Sequence, residues 1–373
     1  MRWSREPLYQ TSGWFNQEPL TTLDETLRFP VALDEIFRLV HEEYGLSVRK
    51  EEIKIRSGFV YFRSFPDYFL QIIFQPQFYP RILKLLPKLS HAKEEFNRLV
   101  EEFLKELTKI RQQNLATLDN KELYDHILKA IRFDACWIFK LGGGLHTLLH
   151  YFSESALKVL YSLLVKDLKP NNYSELLIGY SNKLLEADKS FWQVVQGGLS
   201  KEEYVSKYGY RATDATLAKP TVGENIEELE RRTEEFRRLA PPDFDQFSRS
   251  AVDRRKKREE FVERNFRDWV PSGKGLFNKT LNLARKYITV REDRRFYYTM
   301  GTYSIRRACL ELGSRLDFLN DPSDIFFVAK DELEIAVRDL RGVDKEEIRR
   351  RIESRKTKWQ SWRKQTPPNV VED

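Results

Sequence analysis

The amino-acid sequence predicts a mainly α-helical protein with one small β-hairpin near its N-terminus. Apolar residues recur every three or four positions through several long segments, as they do on one face of an amphipathic helix. The alternation typical of a strand is strongest in one early segment. With 373 residues, of which 41% are hydrophobic, the chain can bury a large core.

Each predicted helix corresponds to a run of apolar residues at helical spacing. The first begins at Ser90, a good N-cap residue, and the next begins near Asp119 or Asn120. A third follows the glycines at 142–144, and Pro241 stops the fifth. The predicted helices cover residues 90–110, 119–131, 145–163, 173–195, 226–240 and 278–316.

Two short segments have the composition of strands. Residues 53–55 and 59–62 flank Ser57-Gly58, which predicts a hairpin that turns at the glycine. The apolar run 325–328 follows Asp321-Pro322 and is expected to form an edge strand. We divide the chain into an N-terminal lobe, residues 1–120, with the hairpin and a long helix, and a helical lobe, residues 121–373; the two may equally form one continuous domain.

Composition and charge exclude several classes of protein. The 64 basic and 57 acidic residues are mixed, and the basic run 254–258 is followed at once by Glu259 and Glu260, so a nucleic-acid partner is not expected. Neither an export signal nor a membrane-spanning apolar run is present. Cys136 and Cys309 lie in no metal or disulfide pattern, which favours a reducing cytoplasm.

The segment 278–316, predicted as one long helix, carries polar residues in the middle of an apolar stripe. Both ends of the stripe are apolar, whereas its centre contains Arg291, Arg295, Tyr298 and Thr302. A buried guanidinium is costly unless it meets an anion or an acidic partner. The two arginines bind a phosphate or carboxylate ligand, pair with acids of the core, or lie on a part of the face that local packing turns to solvent.

Two other segments are candidates for a site, each with a simpler alternative. His146, His150 and Glu154 lie one turn apart and would either chelate a metal or form a polar stripe on a bundle helix. The polar segment 207–214, which contains Tyr210, Arg211 and Asp214, is either a site loop or a solvated connector. No phosphate-cradling glycine loop and no GxSxG nucleophile motif is present.

Three segments resemble the central domain of phosphoenolpyruvate-synthase-like, dikinase-type phosphotransferases, a group that includes rifampicin phosphotransferase and phenylphosphate synthase. RKYITVREDRRFYY, continued by DPSDIFFVAKDEL, is similar to the family's YIxxRExxR(F/Y) helix and DPxDIFFLTxxEL sequence. KYGYRATDATLAKP resembles the YGHRGxxExDLxxPRW loop, and ELLIGYSNKLLEADKSFW resembles the helix before that loop. Weaker similarity at both ends extends the resemblance over nearly the whole chain.

The resemblance implies a helical acceptor-binding domain. In this family an ATP-grasp domain phosphorylates a histidine of a swivelling domain, which then passes the phosphoryl group to the acceptor. Arg291 and Arg295 would line the acceptor site, with Tyr298 and Thr302 beside them, and Arg211 carries over from the loop motif. Tyr210 stands where the family has histidine, Ala212 replaces a glycine, and Asp214 is only an approximate counterpart of the family's acid.

These features lead to two hypotheses of different classes. In the first, the chain is the acceptor-binding subunit of a split phosphotransferase and is inactive alone. ATP-grasp and phosphohistidine partner subunits would bind ATP and Mg²⁺, and no cofactor is expected on this chain. The acceptor would be a small hydroxylated molecule, for example a phenol. This expectation follows from where the chain begins and ends relative to the family's other domains. In the second, the chain is a non-catalytic binding or regulatory protein that retains the fold.

Overall fold

The computed structural model describes residues 9–11, 18–45, 53–63, 80, 91–143, 145–212, 214, 216–267, 272–339, 342, 344–368 and 370–371. As predicted, these residues are mainly helical, with a small antiparallel sheet. The α-helices are α1 (Phe29–Tyr44), α2 (Ala92–Gln112), α3 (Asn120–Trp137), α4 (Leu145–Leu164), α5 (Lys183–Val195), α6 (Lys201–Tyr208), α7 (Ile226–Arg237), α8 (Phe244–Asn265), α9 (Gly273–Tyr298), α10 (Thr302–Gly313), α11 (Lys330–Arg338) and α12 (Lys345–Arg363).

The predicted hairpin is confirmed and forms part of a four-stranded sheet. Its strands are β1 (Tyr9–Thr11), β2 (Ile53–Arg56), β3 (Phe59–Arg63) and β4 (Val370–Val371), in the order β2-β3-β1-β4. Strands β2 and β3 pair antiparallel, with Arg56 opposite Phe59. Ser57 and Gly58 join them with φ values of 50° and 74°, as in the tight turns that suit strand twist.

The helices predicted over 90–110, 119–131, 145–163 and 226–240 correspond to α2, α3, α4 and α7. Helix α3 begins at the predicted cap: the Asp119 carboxylate accepts from Glu122 N at 2.8 Å, and the Glu122 carboxylate accepts from Asp119 N at 2.9 Å. Ser90 lies outside the described residues. None of the described helices has both the length and the apolar composition needed to cross a membrane.

Three expectations about secondary structure were wrong. The segment 325–328 is not an edge strand, because Pro322–Phe327 forms a 3-10 helix capped by Asp321. The segment 173–195 is not one helix, since a 3-10 helix (Pro170–Leu177) and a loop precede α5. The segment 278–316 is not continuous either. Helices α9 and α10 are separated at residues 299–301, where Gly301 packs so closely on Asp134 that a Cβ atom would meet its Oδ1 at 2.0 Å.

The largest core brings together residues from both predicted lobes. Leu23 and Leu27, just before α1, pack with Ile127 of α3 and Ile305 of α10, and all four are fully buried. A second core lies among α2, α3 and α9, and a third among α4, α8, α9 and the 3-10 helix Pro170–Leu177. The division into two lobes stays a prediction.

A buried network of charges lies beside the largest core. The Arg28 guanidinium is 3.3 Å from Asp24 Oδ1 and 3.5 Å from Asp134 Oδ2, and it donates to Thr302 Oγ1 at 3.2 Å. The Asp24 carboxylate also accepts from the Thr216 hydroxyl at 2.9 Å. Burial raises the pKa of Asp134 to about 6, against the opposing effect of Arg28. The Arg28 guanidinium therefore pairs with two buried carboxyl groups.

Candidate functional site

A cavity of about 710 Å³ opens between the loop 178–182 and helices α5, α8 and α9. Its size suits a small organic ligand. Apolar atoms form most of its wall surface, although ten of its eighteen lining residues are polar or charged. The lining residues that matter below are Glu154 of α4, Tyr180 of the loop, Lys189 of α5, Phe247 and Arg254 of α8, and Arg291 of α9.

Arg291 lies in the wall of this cavity, with 36% of its side chain exposed. Its Nε donates to Glu292 Oε1 at 2.8 Å, and its Nη1 contacts His150 Nε2 at 3.0 Å. Arginine has donors only, so this contact is a hydrogen bond only when the ring is neutral and carries its proton on Nδ1. The guanidinium is thereby fixed on two sides and retains an exposed part.

His150 is held in the neutral form by its surroundings. Its side chain is 3% exposed, and burial, followed by the charge of Arg291, lowers its pKa to about 4. Glu154 Oε2 lies 3.1 Å from the same Nε2 atom, a contact that becomes an ion pair only when the ring is protonated. The Tyr173 hydroxyl donates to Glu154 Oε1 at 3.0 Å. A neutral histidine of α4 thus contacts the arginine, and a positioned carboxylate lies beside that histidine.

The loop 178–182 is fixed to the neighbouring helices through its backbone. Arg285 Nε donates to the Leu176 carbonyl at 3.1 Å, and Arg255 Nη1 donates to the Ile178 carbonyl at 3.0 Å. At the other end, Lys183 N donates to Asp293 Oδ1 at 2.7 Å and so joins the start of α5 to α9. Charge-assisted bonds of this kind give a cavity wall a defined shape.

Gly179 allows this loop to approach α8 closely. Its φ is +80°, and a Cβ atom there would lie 3.0 Å from Val252 N. We expect Gly179→Ala to lower the free energy of unfolding by about 2–3 kcal/mol, because backbone strain adds to overpacking. Urea denaturation measures this change. Gly197 is the matched control, with φ +79° and no atom within 4 Å of the added Cβ, so Gly197→Ala should cost only about 1 kcal/mol. Equal costs for the two variants would contradict the close approach.

The structure places the other predicted site residues elsewhere. Thr302 is 1% exposed and accepts from Arg28, and the Tyr298 ring packs on Gly142. The Arg295 side chain lies outside the described residues. The predicted polar stripe comprised Arg291, Arg295, Tyr298 and Thr302. Of these four, Arg291 is the one found among the described residues that line the cavity.

The predicted loop residues form contacts of their own. The Tyr210 ring lies against Arg111, whose Cζ is 3.7 Å from the ring centroid, and Tyr303 packs on it edge to face. Arg211 lies over the ring of Phe296, and burial lowers its pKa. Asp214 is 1% exposed, with its Oδ2 3.6 Å from Lys219 Nζ. Among the described residues lining the cavity, none of these three predicted residues appears.

The metal alternative for α4 gains no support from the described residues. They contain no group of three histidine, cysteine, aspartate or glutamate side chains placed to hold a metal ion. The side chain of His146 lies outside the described part of the chain. The pairing of His150 and Glu154 was visible in the sequence as a one-turn spacing, but the contact of His150 with Arg291 was missed.

The comparisons with known proteins do not identify the chain. No family model matches it. No curated protein matches it significantly.

Proposed function

We propose that the chain is an acceptor-binding component of an ATP-dependent, dikinase-type phosphotransferase. The reaction would convert a hydroxylated acceptor, ATP and water to the acceptor phosphate, AMP and phosphate. One observation carries the proposal: the cavity is bounded by two of the segments on which the family resemblance rests. These are the LIGYSN loop, residues 177–182, and the ITVRE part of α9, residues 288–292.

The cavity supplies groups with suitable roles in such a transfer. Arg291 would neutralise charge on the phosphoryl group, because a preorganised cation stabilises charge at little reorganisation cost. Glu154, held by Tyr173 and close to His150, would accept the acceptor's hydroxyl proton. Two aromatic side chains of the wall, Tyr180 and Phe247, suit a phenolic or other ring-containing acceptor.

The phosphoryl group would come from ATP-grasp and swivelling phosphohistidine modules that act as partners. ATP and Mg²⁺ would bind on those partners. The proposal places the complex in the cytoplasm, where Cys136 and Cys309, both free cysteines, would stay reduced.

Reconstitution tests the proposal. The chain is mixed with candidate ATP-grasp and phosphohistidine partners, ATP and a panel of phenols, and acceptor-dependent AMP release is measured. We expect Arg291→Gln to lower this release by about 100-fold, the cost of losing one preorganised donor. Arg264→Gln is the control, since its side chain is 76% exposed on α8 and does not line the cavity.

The outcomes separate two claims. If the chain binds no such partner and changes AMP formation with no acceptor, the phosphotransferase proposal is wrong. If acceptor-dependent AMP release occurs but Arg291→Gln retains it in full, the family assignment stands and the cavity is not the acceptor site.

A non-catalytic binding protein is the second candidate. Tyr210 occupies the position of a family histidine, and its ring is covered by Arg111 and Tyr303. A covered tyrosine does not replace a histidine in proton transfer near neutral pH. Ligand binding without AMP release in the reconstituted mixture would favour this candidate.

A further inference from the structure

A smaller hollow lies beside the cavity and shares Arg254 with it. This hollow, of about 290 Å³, is lined by Glu175, Arg254, Lys257, Arg258 and Phe261. Arg254 lines both spaces, so the side of α8 that faces the cavity also faces the hollow. Arg254 and Lys257 are three residues apart on α8 and therefore lie on the same face.

The acidic groups near this hollow are already paired. Arg258 Nε binds Glu175 Oε2 at 2.7 Å, and Arg258 Nη1 binds Asp167 Oδ2 at 3.0 Å. By contrast, within the described chain the side chains of Arg254 and Lys257 make no hydrogen bond or ion pair. Two neighbouring positive charges thus remain uncompensated at the end of an apolar-walled cavity.

We propose that the cavity binds an amphipathic organic anion. Its ring-sized apolar body would occupy the cavity, and its carboxylate or similar anionic group would bind Arg254 and Lys257. Uncompensated cations beside apolar walls favour such a molecule, because the anion gains charge-assisted hydrogen bonds while its body leaves water. The anion site itself does not depend on the proposed function. This inference rests on the proposed function in one step, where it takes the bound molecule to be the acceptor, whose hydroxyl would then point towards Arg291 and Glu154.

Two matched probes test the charge preference. 6-Hydroxy-2-naphthoate carries a hydroxyl and a carboxylate at opposite ends of a naphthalene ring, and 2-naphthol lacks the carboxylate. Binding of each to the full chain is measured by titration calorimetry and by the probe's own fluorescence. We expect the carboxylate to tighten binding by about tenfold, and this advantage to shrink as salt screens the exposed charges.

The double variant Arg254→Gln, Lys257→Gln should reduce the advantage of the carboxylate, taken as the ratio of the affinities of the two probes for the same variant, to about twofold or less. Arg249→Gln, Lys256→Gln is the matched control: it removes the same charge from exposed positions of α8 that line neither the cavity nor the hollow. This control should keep the full advantage.

Each result decides a specific point. Equal binding of the two probes, or an equal loss in both double variants, would overturn the anion site. If neither probe binds, the cavity is not a ligand site, and the inference fails with it. Charge-selective binding without AMP release in the reconstituted mixture would support the anion site while counting against the phosphotransferase proposal.

Discussion

Replacing Arg28 with methionine is expected to lower the free energy of unfolding by about 3–5 kcal/mol. Arg28 is the cation between Asp24 and Asp134, and all three side chains are at most 10% exposed. Methionine fills much of the same volume but supplies no charge or donor. Asp134 would then lose its cation, Asp24 would keep only hydrogen bonds from neutral groups such as the Thr216 hydroxyl, and the Thr302 hydroxyl would lose its donor. Urea denaturation near pH 7 measures the loss.

Arg38→Met is the matched control for this prediction. Arg38 also pairs with two acids, Glu35 and Glu42, but its side chain is 50% exposed. Exposed pairs contribute little, so we expect a change below about 1 kcal/mol. Adding Asp134→Asn to Arg28→Met should restore part of the lost stability, because it removes one uncompensated charge. A loss no larger than that of Arg38→Met would mean that Arg28 does not balance these carboxyl groups.

The parts of the fold that depend on local chemistry were predictable from the sequence. Helical spacing of apolar residues located α2, α3, α4 and α7, because a helix shows its buried face within a few turns. The hairpin followed from Ser57-Gly58 between two β-prone runs.

Errors arose where a tertiary contact overrides the local pattern. The stripe through 278–316 continues in register across Gly301, so periodicity alone gave no sign of a break. The break coincides with the packing of Gly301 on Asp134, a residue far away in sequence. Asp24 and Arg28 likewise have the one-turn spacing of an ordinary surface ion pair, and burial by distant helices gives them their role.

The candidate site was only partly predictable for the same reason. Arg291 was identified, because a charged residue interrupts an apolar stripe. Its partner His150 is 141 residues away, and the cavity wall comes from three further segments. No spacing rule connects such residues. For the loop side of the wall, which includes Tyr180, the sequence signal was the resemblance proposed for residues 175–192.

Acidification is expected to destabilise the protein through His150. Its pKa is about 4 in the folded protein, against about 6.5 in an unfolded chain. Between these values the unfolded state binds the proton and the folded state does not, so stability falls as the pH drops from about 6.5 to 4. The full contribution of this one group is about 3 kcal/mol.

Asp134 acts in the opposite direction over an overlapping range. Its pKa in the folded protein is raised to about 6, so this group stabilises the folded state at low pH. That stabilisation is lost as the pH rises through about 6. The wild-type profile alone therefore does not isolate the histidine. The difference between wild type and His150→Gln does, because the glutamine oxygen can still accept from Arg291 but does not titrate. We expect the difference between their free energies of unfolding to change by about 2–3 kcal/mol between pH 7 and pH 4, because the wild type loses more stability.

Arg291→Gln provides a second check on the same pair. Burial is the larger cause of the low His150 pKa and the charge of Arg291 is the next, so removing the arginine should raise this pKa without restoring the ordinary value. Nuclear magnetic resonance titration of the imidazole measures both proteins. A wild-type ring that titrates near 6.5, or one that is unmoved by Arg291→Gln, would contradict the contact between them. An upward shift of the His150 pKa in Arg291→Gln would show that Arg291, at the cavity wall, also influences the protonation state of the histidine that contacts it.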